Sequence, residues 1–107
     1  MPTATITITI NTSKYTRDAD VQSRVEAIDL SGDLQHPMML GLTIDRSATT
    51  IHAPGVVRRV LEIVLSADFV AAYPTAPLQQ AAFGGLFVST LKAKLPALDV
   101  SSTTVIR

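Results

Sequence analysis

The sequence predicts an α+β fold: an N-terminal β-strand or hairpin, an antiparallel β-sheet and a C-terminal α-helix. Three stretches carry this expectation. In residues 3–10, "TATITITI", Ala4, Ile6, Ile8 and Ile10 alternate with Thr3, Thr5, Thr7 and Thr9, which puts isoleucine on one face of a strand and threonine on the other. Residues 34–68 hold two β-rich runs on either side of Ala53-Pro54-Gly55-Val56, with proline and glycine where a type II turn wants them. Residues 75–95 form an apolar run that opens on Thr75, a helix-capping residue, and Pro77, and stops before Pro96.

Length sets the first bound. A chain of 107 residues is one domain, here 1–107, with N-terminal strands in 1–30, the sheet hairpin in 34–68 and the helix in 75–95. A domain of this size buries roughly 60–70% of its unfolded surface. With 47% hydrophobic but only 17% charged residues, little polar material is left to coat a small sphere, and self-association would relieve the shortage. The formal net charge is zero, so binding to nucleic acid would have to come from locally placed arginines rather than a basic tail. Cysteine is absent, which excludes a disulfide framework and thiolate metal sites. The N-terminus lacks the basic-then-apolar pattern of a signal peptide. The uncharged run 69–91 is interrupted by Pro74, Pro77, Gln79 and Gln80, so no membrane span is expected.

Taken in order, residues 3–10 are a strand with high β propensity and no charge. Left unpaired, it would be an aggregation hazard. Asn11–Lys14 reads as a turn. Residues 21–30 admit two readings: Val21, Val25 and Ile28 have helical spacing behind Asp20, whereas Val21, Ser23, Val25 and Ala27 would line one face of a strand, the reading preferred here. In the hairpin, pairing Ala53 with Val56 sets Ile44 opposite Leu65 and Arg46 opposite Ile63. Met38, Leu40, Leu42 and Ile44 then share an apolar face with Leu61, Ile63, Leu65 and Ala67. The other face carries Thr43, Asp45, Ser47 and Thr49 with Arg58, Val60, Glu62 and Val64. The helix over 75–95 has no polar stripe, so it should pack on two sides; Gly84-Gly85 would allow close approach or a kink. The tail 99–107, "DVSSTTVIR", is either a short strand or a loose end.

Catalytic chemistry is poorly supported. His36 sits beside Pro37 and His52 beside the hairpin turn, so each reads as a turn residue. Asp33 and His36 invite a triad, but no nucleophile elbow accompanies them. Phosphate-loop, dinucleotide and EF-hand patterns are missing. The expectation is a protein that is not an enzyme and needs neither metal nor cofactor. Arg58-Arg59 is the one basic cluster within an apolar strand. Either it solubilises a strand end or it contacts phosphate, and since neighbours in a strand point to opposite faces, only Arg58 can serve the mixed face.

The order of elements, with Leu34-Gln35-His36-Pro37-Met38-Met39-Leu40-Gly41-Leu42-Thr43-Ile44 (L-x-x-P-x-x-L-x-L-x-I) at the entry to the sheet, resembles the coat proteins of single-stranded RNA bacteriophages. That resemblance implies an interlocked homodimer in which each subunit's helices lie across the partner's sheet, with Leu78, Phe83, Leu86, Phe87 and Leu91 as candidate interface residues. It further implies an icosahedral shell of many copies around single-stranded RNA, found in the virion and assembled in the bacterial cytoplasm without a membrane. RNA would meet the inner sheet face, candidates Thr43, Ser47 and Arg58, and binding of an RNA hairpin there would repress translation. A small dimeric α+β interaction or ligand-binding module accounts for the same hydrophobic excess without RNA.

Overall fold

The computed structural model describes residues 3–12, 17–35, 39, 41–96 and 98–107. The chain runs β1 (Thr3–Asn11), α1 (Asp18–Ala27), a 3₁₀ turn (Ser31–Gln35), β2 (Ile44–Ala53), β3 (Val56–Val64), α2 (Ala67–Ala72), α3 (Ala76–Phe83), α4 (Val88–Lys94) and β4 (Asp99–Ile106). The strands form one antiparallel sheet in the order β2-β3-β1-β4. This is the α+β class expected, but the last element is a strand and not a helix.

The alternation in β1 is realised as read. Ala4, Ile6, Ile8 and Ile10 are fully buried, while Thr3, Thr5, Thr7 and Thr9 are half-buried on the reverse face. β3 repeats the pattern with Val57, Arg59, Leu61 and Ile63 inside. Phe69, Phe83, Phe87, Leu91, Val21 and Val25 from the helices join the same core. All the helices therefore lie on the isoleucine side.

Residues 18–27 resolve as helix, against the preferred strand reading. Val21 and Val25 fall on its buried stripe with Ile28 packed beside them. Asp20 lies in the first turn with Asp18 rather than at the cap, which is Arg17; there it favours the helix through the macrodipole. The strand alternative would have buried Ser23 and Ala27, and both are exposed.

The hairpin turns where expected. Ala53 faces Val56, and Gly55 has φ +78°, the conformation that glycine supplies in a type II turn. The register then departs from the expectation. A bulge between Ile51 and Ala53 shifts the ladder by one residue, so Arg46 faces Glu62 and Ser47 faces Leu61. A one-residue slip turns every side chain of a strand over. A second irregularity, between Ile44 and Arg46, shifts the ladder by one more residue, so Ile44 faces Ile63 rather than Leu65, and the apolar agreement survives there. The strands are also shorter than expected: Leu65 ends the buried run, and Ala67 opens α2 on a Ser66 cap that accepts from the Phe69 amide. Met38 and Leu40 lie outside the described residues, as do residues 13 and 14 of the expected Asn11–Lys14 turn, whose first residue, Asn11, ends β1.

The predicted 75–95 helix is broken. Its start is as read: Thr75 accepts from the Leu78 amide and proline occupies the first turn. Its end, Leu95, also holds. Between them the chain leaves the helix at Gly84, Gly85 adopts φ +79° and Phe87 φ +69°. Two adjacent glycines forfeit about 2 kcal/mol of helix propensity relative to alanine, and the bend lets α3 and α4 both reach the subunit's own sheet. The segment is buried on one side rather than two, and within one chain: of the five candidate interface residues Phe83, Phe87 and Leu91 are sealed in its core, Leu86 is half-buried and Leu78 is exposed, with Ala81 and Ala93 also open to solvent.

Because β1 is central and sealed, Ile8→Ala should destabilise the fold by about 2–5 kcal/mol, whereas Thr7→Ala, on the opposite face, should change it by less than about 1 kcal/mol. Urea unfolding followed by circular dichroism separates the two.

Candidate nucleic-acid interface

With every helix on one side, the other side of the sheet is open. The registers arrange its side chains in rows across the strands. Thr50, Arg58, Thr9 and Ser101 form one row; Ala48, Val60, Thr7 and Thr103 the next; Arg46, Glu62, Thr5 and Val105 the third. Arg107 follows opposite Thr3, to which it is joined by two backbone hydrogen bonds. The surface is rich in hydroxyls and carries arginine against Glu62 and Asp99. Arg46 and Glu62 approach to 4.0 Å with both side chains largely in water, a contact that contributes little.

Arg58 is the central cation of this face. Its Nη1 lies 3.3 Å from His52 Nδ1, and its Nε is shielded from solvent without a hydrogen-bond partner. His52 is exposed and belongs to the bulged end of β2, so it acts on Arg58 rather than standing apart as a turn residue. The three residues expected to share an RNA face are separated. Arg58 is on the open face, Ser47 is on the helix side, and Thr43 is exposed just before β2. The bulge at Ile51/Ala53 turns Ser47 over, and Thr43 lies before Ile44, the first paired residue of β2. Arg46, Thr50, Ser101 and Thr103 take the places that Ser47 and Thr43 were expected to fill. The β-branched tail was the available signal for Ser101 and Thr103; nothing in the sequence announced the bulge.

Arg59 faces the core, as strand alternation requires, and is only 6% exposed. Its Nε donates to Ser47 Oγ at 3.0 Å, and Nη1 donates to the carbonyls of Val25 at 2.8 Å and Ile28 at 2.7 Å. It thereby satisfies carbonyls at the C-terminal end of α1, where a cation is favoured. Burial lowers its pKa and the charges of Glu26 and Asp29 oppose that, but a guanidinium remains protonated. Its role is to fasten α1 to the sheet.

The N-terminal end of α1 is fastened by Asp18. Thr12 Oγ1 donates to Asp18 Oδ1 at 2.5 Å, and the Gly55 amide donates to Oδ2 at 3.1 Å. One carboxylate thus joins the end of β1, the start of α1 and the β2–β3 turn. The Thr12 hydroxyl, then the Gly55 amide, hold its pKa below the ordinary 3.8, with desolvation opposing.

The Asp33–His36 pair cannot be placed, since His36 lies outside the described residues; Asp33 accepts from Thr90 Oγ1 at 2.8 Å. Among the described residues no three His, Cys, Asp or Glu side chains gather as a metal site, and no helix is long and apolar enough to cross a membrane.

No protein-family model matches the chain, and no curated protein matches it. Among solved structures, "De novo designed protein Foldit4" is similar over 96% of both chains, at 12% identity and a TM-score of 0.45.

The Asp18 geometry has a pH signature. A carboxyl whose pKa is lowered by folding stabilises the fold above its unfolded pKa, and that contribution disappears as pH falls through the folded value. Asp18→Asn should therefore be less stable than the parent at neutral pH, with the gap closing below about pH 4. Urea midpoints measured across that range give the comparison.

Proposed function

We propose that this protein is a non-catalytic assembly protein that holds single-stranded RNA against the open face of its sheet, the role of a coat protein. The observation that supports the reading is Arg58: a guanidinium with an unsatisfied Nε, on a face free of helices, among Thr9, Thr50 and Ser101. Arginine and hydroxyl side chains are the usual donors to phosphate oxygens. The strands of the described face carry no Phe, Tyr or Trp on which a base could stack, so contact would be mainly with the sugar–phosphate backbone and weakly selective for sequence. Enclosure in an icosahedral shell belongs to the same proposal: one sheet face open and the other under helices gives each subunit an RNA side and an outer side.

A second reading is a small interaction module that binds through this face without forming a shell. It is favoured by one observation, that Phe83, Phe87 and Leu91 are buried within their own subunit, so that interlocked helices are not needed to cover them.

Particle size and RNA content decide between these. Expressed protein should sediment as large particles with nucleic-acid absorbance; RNA-free protein of low mass would favour the module. Arg58→Ala should lower retained RNA and reduce the salt dependence of binding by about one phosphate contact per subunit. Arg59→Ala should instead destabilise the fold, by about 1–3 kcal/mol for the carbonyls it leaves buried, with an unchanged salt slope. Parallel salt slopes for the parent and Arg58→Ala would remove Arg58 from the interface.

A further inference from the structure

We propose that β4 is the contact strand of a symmetric homodimer, pairing antiparallel with the β4 of a second copy about a twofold axis at Thr103. The inference stands apart from the RNA reading and uses the strand formed by the 99–107 tail, which follows the segment expected to be the last helix.

The sheet has two free edges, and they differ. On the β2 edge the ladder with β3 is broken at Ile44/Arg46 and at Ile51/Ala53, and Asp45, Arg46 and His52 lie along it. Gln22 Nε2 donates to the Thr49 carbonyl at 2.9 Å, occupying an acceptor that a further strand would need. Bulges, charges and side-chain caps are the means by which edges are kept from pairing. The β4 edge has none of them between its ends. Val100–Ile106 contains no charge, proline or glycine, and its ladder with β1 is unbroken from Asp99 to Ile106.

The phase of that ladder is fixed by the Thr3–Arg107 pair, which exchanges both backbone hydrogen bonds at 3.0 and 2.8 Å. Odd residues of β4 therefore bond to β1, and the N–H and C=O groups of Val100, Ser102, Thr104 and Ile106 point outward. Among the described residues no strand lies beyond them.

A second copy fits this edge because the strand is complementary to itself. With Thr103 opposite Thr103, Ser102 faces Thr104 and Val100 faces Ile106, so the outward backbone groups meet in hydrogen-bonding pairs. The same register sets Thr103 against itself, Ser102 against Thr104, Val100 against Ile106, and Asp99 against the partner's Arg107 at both ends; Ser101 opposite Val105 is the one mixed pair. The charged pairs fall at positions that do not exchange backbone bonds, where side chains approach most closely. A twofold axis normal to the sheet keeps both sets of helices on one side, and Val100 and Ile106, which touch each subunit's core, make that core continuous across the axis. The contact consumes both open β4 edges and leaves only blunted β2 edges outside, so pairing through sheet edges closes at two.

The test uses the full chain after nuclease treatment, with mass measured by light scattering on a sizing column over a concentration series. The parent should dimerise. Asp99→Arg and Arg107→Asp should each weaken the dimer about tenfold, through two like-charge pairs per dimer, and the double substitution should restore it. Thr103→Cys should form an intermolecular disulfide under mild oxidation. Ser102→Pro removes an outward amide that β1 does not use, and should yield a monomer with unchanged circular dichroism. A parent that stays monomeric, or charge reversals that weaken the dimer without rescue in the double variant, would overturn the proposal. So would the absence of cross-linking at Thr103. None of these outcomes bears on Arg58 and RNA, which a monomer could still bind.

Discussion

The fold depends on the double pairing of β1. Its uncharged Thr/Ile sequence is unsafe with a free edge, and the protein places it second from one end of the sheet, between β3 and β4. Both edges are then occupied by ladders running almost the full strand, from Thr3/Val64 to Asn11/Val56 on one side and from Ala4/Ile106 to Asn11/Asp99 on the other. The isoleucine face, once paired, still needs a lid. That requirement dictates the rest: α1 must return over β3, and the chain after β3 must cross the sheet as helices before β4 can close the second edge. The helical segment has to end in time for the tail to pair, and the bend at Gly84–Phe87 accommodates this. It places a non-glycine residue, Phe87, in the left-handed region, which costs about 1–3 kcal/mol. Burying the Phe87 ring to 1% exposure offsets that cost, since complete burial of such a side chain contributes about 1.5–3 kcal/mol.

Polar side chains set the register of the lid, and hydrophobic packing supplies its bulk. Apolar contact alone would let α1 slide along the sheet. Asp18 and Arg59 prevent this by acting at opposite ends of the helix. Asp18 collects a hydroxyl and an amide from β1 and the hairpin turn, while Arg59 donates to the carbonyls at the helix end. Both follow the helix dipole, acid at the N-terminus and base at the C-terminus. Both reach across the chain, Asp18 to Gly55, 37 residues on, and Arg59 to Val25 and Ile28, 34 and 31 residues back.

What the sequence disclosed follows from this division. Period-two alternation in β1, the Pro54-Gly55 turn, the Thr75 cap, the stop at Pro96 and the opposed facing of Arg58 and Arg59 are local or strictly periodic properties, and each could be read from neighbouring residues. The bulge at Ile51/Ala53, the break at Gly84–Phe87 and the recruitment of 99–106 as a strand are settled by tertiary pairing. The glycine pair marked a possible kink, but whether a kink forms depends on what lies beneath it. The tail's β-branched composition allowed a strand, but its partner was the edge of a strand some ninety residues earlier. The candidate site inherits these limits: Arg58 was found by alternation within β3, whereas its neighbours on β2 were exchanged by one inserted residue.

That exchange also divides the two arginines by task. A regular hairpin carried through the predicted pairing would have put Ser47, Thr49 and Ile51 on the face of Arg58 and set Arg59 opposite Thr50, with Ala48 and His52 to either side. Such an Arg59 would have lost its Ser47 acceptor while keeping its burial, and a buried guanidinium with too few acceptors is expensive. By turning β2 over, the bulge gives Ser47 to Arg59 at 3.0 Å and sets Arg46 and Thr50 on the open side with Arg58. The inner arginine braces α1 through Nε and Nη1, and the outer one keeps an unpartnered Nε. Adjacent residues in one strand, identical in chemistry, thus differ in function because a neighbouring strand is one residue out of phase.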